Sequence, residues 1–165
     1  MNTNIATALK VADEVWIATA LLHQEHPSAQ DFRVKDIVLR AAHESIIEER
    51  RPGVYQHAQS HCVATREPSP NTYRMLTESR PRYRRLYRTG DPFNPGRKNG
   101  KILPNRDDIP EPYWRLLSWY EKWNEKYGAK RRSMDPLLAL QGSGKKLWAD
   151  EHADEYVARL REGWE

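Results

Sequence analysis

Residues 51–87, RPGVYQHAQSHCVATREPSPNTYRMLTESRPRYRRLY, carry the reading that decides the fold. After the turn Arg50-Arg51-Pro52-Gly53, with Pro52 suited to a first helical position, Val54, Ala58 and Cys62 repeat every four residues. That is the spacing of one buried helical face. Pro68 lies beyond the end of this helix. Two short stretches rich in aromatic and aliphatic residues follow, Tyr73-Arg74-Met75-Leu76 and Tyr83-Arg84-Arg85-Leu86-Tyr87. The polar run Thr77 to Arg82 separates them, and the pair predicts a β-hairpin.

Upstream, apolar residues recur at helical spacing at Ile5, Ala8, Leu9, Ala12, Val15, Trp16 and Leu22, with Thr19 the one polar residue on the stripe. This predicts an amphipathic helix ended by His26 and Pro27. Asp31 is a candidate cap for a second helix carrying Val34, Ile37, Val38, Ala41 and Ser45, which fades near Glu48. Three helices followed by a basic hairpin is the order of a winged helix-turn-helix domain, whose third helix enters the major groove and whose hairpin lies against the backbone or minor groove. The opening string also resembles winged domains of uncharacterised bacterial proteins.

Downstream, residues 89–112 (TGDPFNPGRKNGKILPNRDDIPEP) are dense in Gly, Pro, Asn and Asp and read as an ordered loop or a meandering connector. From Tyr113 the helical spacing resumes at Leu116, Leu117, Tyr120, Trp123 and Tyr127, with Gly128 placed to stop the helix. Trp114 and Trp119 lie off the densest part of this stripe and raise the prospect of a second apolar face in a homodimer, although aromatic stripes at this spacing usually pack into a core. The expected fold class is mainly α with a small β-hairpin. Residues 1–128 form the winged helix-turn-helix domain with its closing helix, 129–134 a basic linker, and 135–165 an extended helical tail.

The net charge of +4 hides a segregation: residues 50–101 hold twelve Lys or Arg against three acids, while residues 1–49 hold four against eight. Concentrated positive charge favours a polyanion, and nucleic acid is the commonest. With Val54, Ala58 and Cys62 inward, the third helix turns Tyr55, Gln56, Gln59 and Ser60 outward. Glutamine can contact adenine through two hydrogen bonds, so Gln56 and Gln59 are the base-reading candidates, beside Tyr55. Phosphate contacts are expected from Arg50, Arg51 and Arg66 at the helix ends and from Arg74, Arg80, Arg82, Arg84 and Arg85 on the hairpin. Operator DNA is the expected partner of this region.

After Gly128 and the basic run Ala-Lys-Arg-Arg-Ser comes DPLLALQGSGKKLWADEHADEYVARLREGWE, residues 135–165. Asp135-Pro136 suits a helix start, Leu137, Leu138 and Leu140 form a small apolar patch, and Gly142-Ser143-Gly144 interrupts it. Tyr156, Leu160 and Trp164 then recur four apart with Val157 beside them. Two short amphipathic pieces joined by a hinge, with Trp148 between them, suit a strip that wraps a partner's groove and orders on binding.

The Asp-Pro-Leu-Leu start, the Gly-Ser-Gly hinge and the Leu147-Trp148-Ala149-Asp150 element, in that order, resemble the C-terminal region of VapB-type antitoxins of bacterial type II toxin-antitoxin pairs. The resemblance implies that the tail binds and inhibits a VapC-like PIN-domain ribonuclease. It also implies that a basic side chain reaches the acidic cluster holding the toxin's Mg²⁺. Lys145, Lys146, Arg159 and Arg161 are candidates, the two arginines preferred because a guanidinium can bridge two carboxylates. The antitoxin would then repress its own operon. The chain departs from the family in its N-terminal part, where such antitoxins carry a small strand or ribbon module. Rival readings are a stand-alone winged-helix regulator linked to phage defence or restriction, with the tail for self-association, and a basic RNA-binding module.

No stretch approaches the roughly 20 apolar residues of a membrane span. The N-terminus has no basic segment followed by an apolar core, and the single Cys62 has no partner for an intrachain disulfide, so a cytoplasmic location without membrane contact is expected. His57, His61 and Cys62 lack further ligands nearby for a zinc site. GSGKK at 142–146 lacks P-loop spacing. No catalytic activity, cofactor or metal is expected.

Overall fold

A computed structural model describes residues 9–49 and 51–133. The chain divides into two compact units, Met1–Glu125 and Lys126–Glu165. The first is mainly helical with a small antiparallel sheet. Its elements are α1 (Val11–Glu25), β1 (Phe32–Arg33), α2 (Val34–Glu44), α3 (Gly53–Gln56, continued by a π-helical turn His57–His61), β2 (Leu76–Arg80) and β3 (Tyr83–Leu86). Three 3₁₀ turns then lead to α4 (Trp114–Ser133).

Helix α1 is not amphipathic, as its stripe suggested, but buried on every side from Ala12 to His23. A helix enclosed all round must also neutralise its polar residues. Asp13 meets Lys101 Nζ at 3.2 Å, Glu14 is ion-paired with Arg51, and Thr19 Oγ1 donates to Val15 O at 2.8 Å. Trp16 is fully buried and meets Tyr120 of α4 edge-on, with ring centroids 5.7 Å apart. Tyr120 in turn donates its hydroxyl hydrogen bond to Tyr87 O.

Helix α2 buries Val34, Ile37 and Ala41 of the stripe read from the sequence and leaves Val38 half-buried. It ends at Glu44, short of the expected fade near Glu48, with Ser45 exposed and in the left-handed region at φ 51°. Its expected cap is a correction. Arg33 occupies the cap position, and Asp31 instead accepts from Ser79 and Arg80 of β2, a partnership 48 residues away that no local signal reveals. Helix α3 buries Val54, Ala58 and Cys62 as expected, but its second half widens, with Cys62 N–H bonded to His57 O.

The hairpin exists with its first strand displaced: β2 begins at Leu76, where the expected strand ends, and runs through most of the polar stretch. Pairs Leu76↔Leu86 and Thr77↔Arg85 are regular, and a bulge between Glu78 and Arg80 brings Arg80 opposite Tyr83. Pro81-Arg82 makes the turn, with Arg82 at φ 67°. Turns that place Pro ahead of a positive-φ residue have this geometry. A third strand, β1, pairs with β3 through Phe32↔Arg84 and Arg33↔Tyr83, so the sheet order is β1-β3-β2. Two residues are too few to show a period, which is why β1 escaped the sequence reading.

The Gly- and Pro-rich connector is ordered, and Arg97 anchors it. Its fully buried guanidinium donates to the carbonyls of Arg66, His61, Tyr73 and Glu67 at 2.6–2.9 Å and of Ser60 at 3.4 Å. A Cβ on Gly100 would lie 1.6 Å from Thr72 O, so only glycine fits that crossing. Helix α4 does not stop at Gly128 but continues to Ser133. A lone glycine costs only about 1 kcal/mol in a helix, and Ala129, Lys130, Arg131 and Arg132 are strong helix formers. Trp114 and Trp119 pack against the core, and Trp119 stacks on Trp123 with centroids 5.8 Å apart. Among the described residues no helix is long and apolar enough to cross a membrane.

Candidate nucleic-acid interface

The hairpin turn, β1 and the start of α2 meet at one end of the sheet. Arg82 O accepts from Val34 N–H at 3.0 Å, which seats the turn on the first residue of α2. The Tyr83 ring lies at the centre of this corner. Arg80 stacks over it with its guanidinium carbon 3.6 Å from the centroid, and Arg33 Nε donates to the Tyr83 hydroxyl at 2.9 Å. Arg33, Arg80 and Arg82 are all exposed. Arg80 also pairs with Asp31 at 3.1 Å. Burial works against the Asp31 carboxylate, yet the hydrogen bonds from Arg80 and Ser79 outweigh it and hold its pKa below the usual value. Stacking on tyrosine limits the rotamers of Arg80 while its side chain stays 59% exposed, a favourable state for meeting a phosphate.

Arg33 was missing from the expected contacts, since it belongs to the acidic third of the chain. Its position depends on a strand partner 50 residues away, for which nothing in its neighbourhood is a signal.

The other expected contacts separate sharply. Arg84 is a correction: its side chain is fully buried, donating to Tyr83 O at 2.8 Å and Gln59 O at 3.0 Å and pairing with Glu78 at 3.3 Å. Desolvation lowers its pKa, and it ties β3 to α3 instead of facing a ligand. Arg85 holds Asp91 through two bonds of 2.6 and 2.9 Å, and only 13% of its side chain is exposed. Arg51 is committed to Glu14 and to Leu9 O. Arg74 lies over the Phe93 ring at 4.4 Å. Arg66 pairs with Glu78 at 2.8 Å while half exposed. Arg50 lies outside the described residues.

On α3, Tyr55 and Gln56 are exposed, and Gln59 is partly buried with its carbonyl bound to Arg84. Gln56 therefore keeps the outward position expected of a base-reading side chain, and Gln59 is the less accessible of the two. Tyr55 borders a cleft whose rim includes Glu48 and Glu49. His57 Nδ1 lies 3.4 Å from Cys62 Sγ, and the His57 and His61 rings meet edge-on at 4.9 Å. Burial raises the Cys62 thiol pKa and lowers that of His57 to about 4, so both are neutral near pH 7. No group of three or more His, Cys, Asp or Glu placed to hold a metal occurs among the described residues.

The tail candidates Leu137, Leu138, Leu140, Lys145, Lys146, Leu147, Trp148, Tyr156, Val157, Arg159, Leu160, Arg161 and Trp164 lie outside the described residues. No protein-family model, curated protein or solved structure matches the chain.

Proposed function

We propose that residues 1–125 are a winged helix-turn-helix domain that binds duplex DNA, with Gln56 on the third helix reading bases and Arg33, Arg80 and Arg82 on the wing holding phosphates. The observation that carries this reading is the element order α1-β1-α2-α3-β2-β3 with strand order β1-β3-β2. It presents an exposed α3 face and an arginine-bearing turn as separate contact elements, as winged helices do. On the resemblance of Asp135–Glu165 to VapB-type antitoxins, the same chain is an antitoxin whose tail inhibits a PIN-domain ribonuclease and whose DNA-binding domain represses its operon.

The two halves are tested separately. In a mobility-shift assay on the DNA upstream of its gene, the triple variant R33A/R80A/R82A should bind about 10-fold or more weakly and with a flatter salt dependence, since each phosphate contact contributes to the slope. Unchanged affinity and slope at low salt would remove the DNA reading. Co-expression with a PIN-domain ribonuclease encoded beside this gene should restore growth with the full chain and not with a chain ending at Met134. Rescue by the shortened chain would show that the tail is not the inhibitor.

A further inference from the structure

Of the three large apolar side chains that are exposed among the described residues, Leu39 and Tyr55 flank a single cleft. The cleft lies between the outer face of α2 and the start of α3, with a volume of about 270 Å³. Val38, Ala41 and Val54 form its apolar floor. This is below the roughly 300–1,000 Å³ of small-molecule sites and suits one or two side chains of a protein segment.

Among the described residues the charges at the rim are one-sided. Glu48 and Glu49 are exposed and carry no ion pair among the described residues, while the guanidinium of Arg51 is committed to Glu14. The cleft thus differs in charge from the arginine corner at the wing. Apolar walls with an acidic rim complement an apolar side chain flanked by cations, and a slot between two helices suits a helix laid into it.

We propose that the α2–α3 cleft docks a basic amphipathic helix of a partner protein, with a leucine-sized or aromatic side chain between Leu39 and Tyr55 and lysine or arginine facing Glu48 and Glu49. The cleft uses Tyr55, which neighbours Gln56 on the α3 face offered to DNA, but no residue of the arginine corner, and a peptide assay without DNA tests this inference separately from the DNA reading.

The test uses the full chain and two synthetic 14-residue helical peptides with leucine at positions i, i+3, i+4 and i+7, one flanked by lysine and one by glutamate. Fluorescence anisotropy should show the lysine peptide binding about 10-fold or more tightly than the glutamate peptide. E48K/E49K, which alters only exposed side chains, should reverse that order. Leu39→Asn should weaken the lysine peptide about 10-fold while circular dichroism shows the fold intact. Equal binding of both peptides to the unaltered chain, or unchanged lysine-peptide binding by Leu39→Asn, overturns the proposal. Loss of a dimer by the Leu39→Asn chain in sedimentation, with no peptide binding by the unaltered chain, assigns the cleft to a second copy and likewise overturns it.

Discussion

Arginine in this chain has two opposite uses. Arg97 is a cation with no carboxylate beside it among the described residues, held by carbonyl dipoles from the end of the α3 turn and from the chain on either side of Pro68. Carbonyls at the end of a helical turn are electronegative and otherwise unsatisfied, so one guanidinium fork serves several at once. Arg97→Met should cost about 3–5 kcal/mol, because it removes the charge-assisted bonds and leaves buried acceptors without partners. Urea denaturation measures this, and a loss below about 1 kcal/mol would show that the carbonyls find other donors. Arg82, by contrast, is exposed at a turn and is expected to matter for binding alone. Arg84, two residues on, faces the interior. The sequence reading assigned Arg82 and Arg84 the same phosphate-contacting role and counted Arg97 only in the positive charge of residues 50–101, since side-chain type and local spacing do not distinguish an arginine that faces water from one that faces carbonyls.

Among the elements, the hairpin shows how a turn can separate stability from binding. Arg82 adopts φ 67°, a conformation that costs a non-glycine residue energy, and its carbonyl anchors α2. Arg82→Gly relieves that cost, so the variant should be as stable as the parent or more stable by about 0.5–1 kcal/mol. If the turn meets phosphate, DNA affinity falls at the same time. Thermal unfolding read beside a mobility-shift assay tests the pair of effects, and a marked loss of stability would contradict the strain argument. The third helix teaches a related lesson. Its four-residue repeat of Val54, Ala58 and Cys62 predicted the buried face correctly, yet the widening to a π turn at His57–His61 has no signature in that repeat. All three positions are still buried although the hydrogen bonding of that turn is shifted by a residue.

Across the first unit as a whole, acid sensitivity has an identifiable origin. His23 is buried between Phe32 and Trp123, with centroids 4.9 Å from each, and its Nε2 accepts from Leu86 N–H at 3.4 Å. Burial, then the charges of Arg88 and Arg85, lower its pKa to about 3. The unfolded chain therefore takes up this proton near pH 6.5 while the folded chain does not. The neutral histidine's contribution is fully present above pH 6.5, diminishes as pH falls below it, and is lost by about pH 3. The limiting slope for one such group is about 1.4 kcal/mol per pH unit. His23→Gln removes the titration, and its stability should change less than the parent's between pH 6.5 and 5 in urea denaturation. Parallel pH profiles for the two proteins would contradict the assignment.

The enclosure of α1 on every side could not be read from residue order, but the buried faces of α2 and α3 could, because periodicity reports contacts made within a turn or two. Val34, Ile37, Ala41, Val54, Ala58 and Cys62 all obey it. The hairpin and the closing helix were likewise visible in composition and spacing. The route of charge through the molecule was not. Asp31 with Arg80, Arg33 with Tyr83, Glu14 with Arg51 and Arg97 with its carbonyls are partnerships across 24 to 50 residues. Such pairs exist only once the chain has returned on itself, so the surplus of arginine in residues 50–101 pointed toward a polyanion without showing which arginines are free to meet one. Folding draws Arg84, Arg85 and Arg97 into the scaffold and leaves Arg33, Arg80 and Arg82 exposed around Tyr83, because the interior offers carboxylates and carbonyls to the first group while the turn and short strand hold the second in solvent.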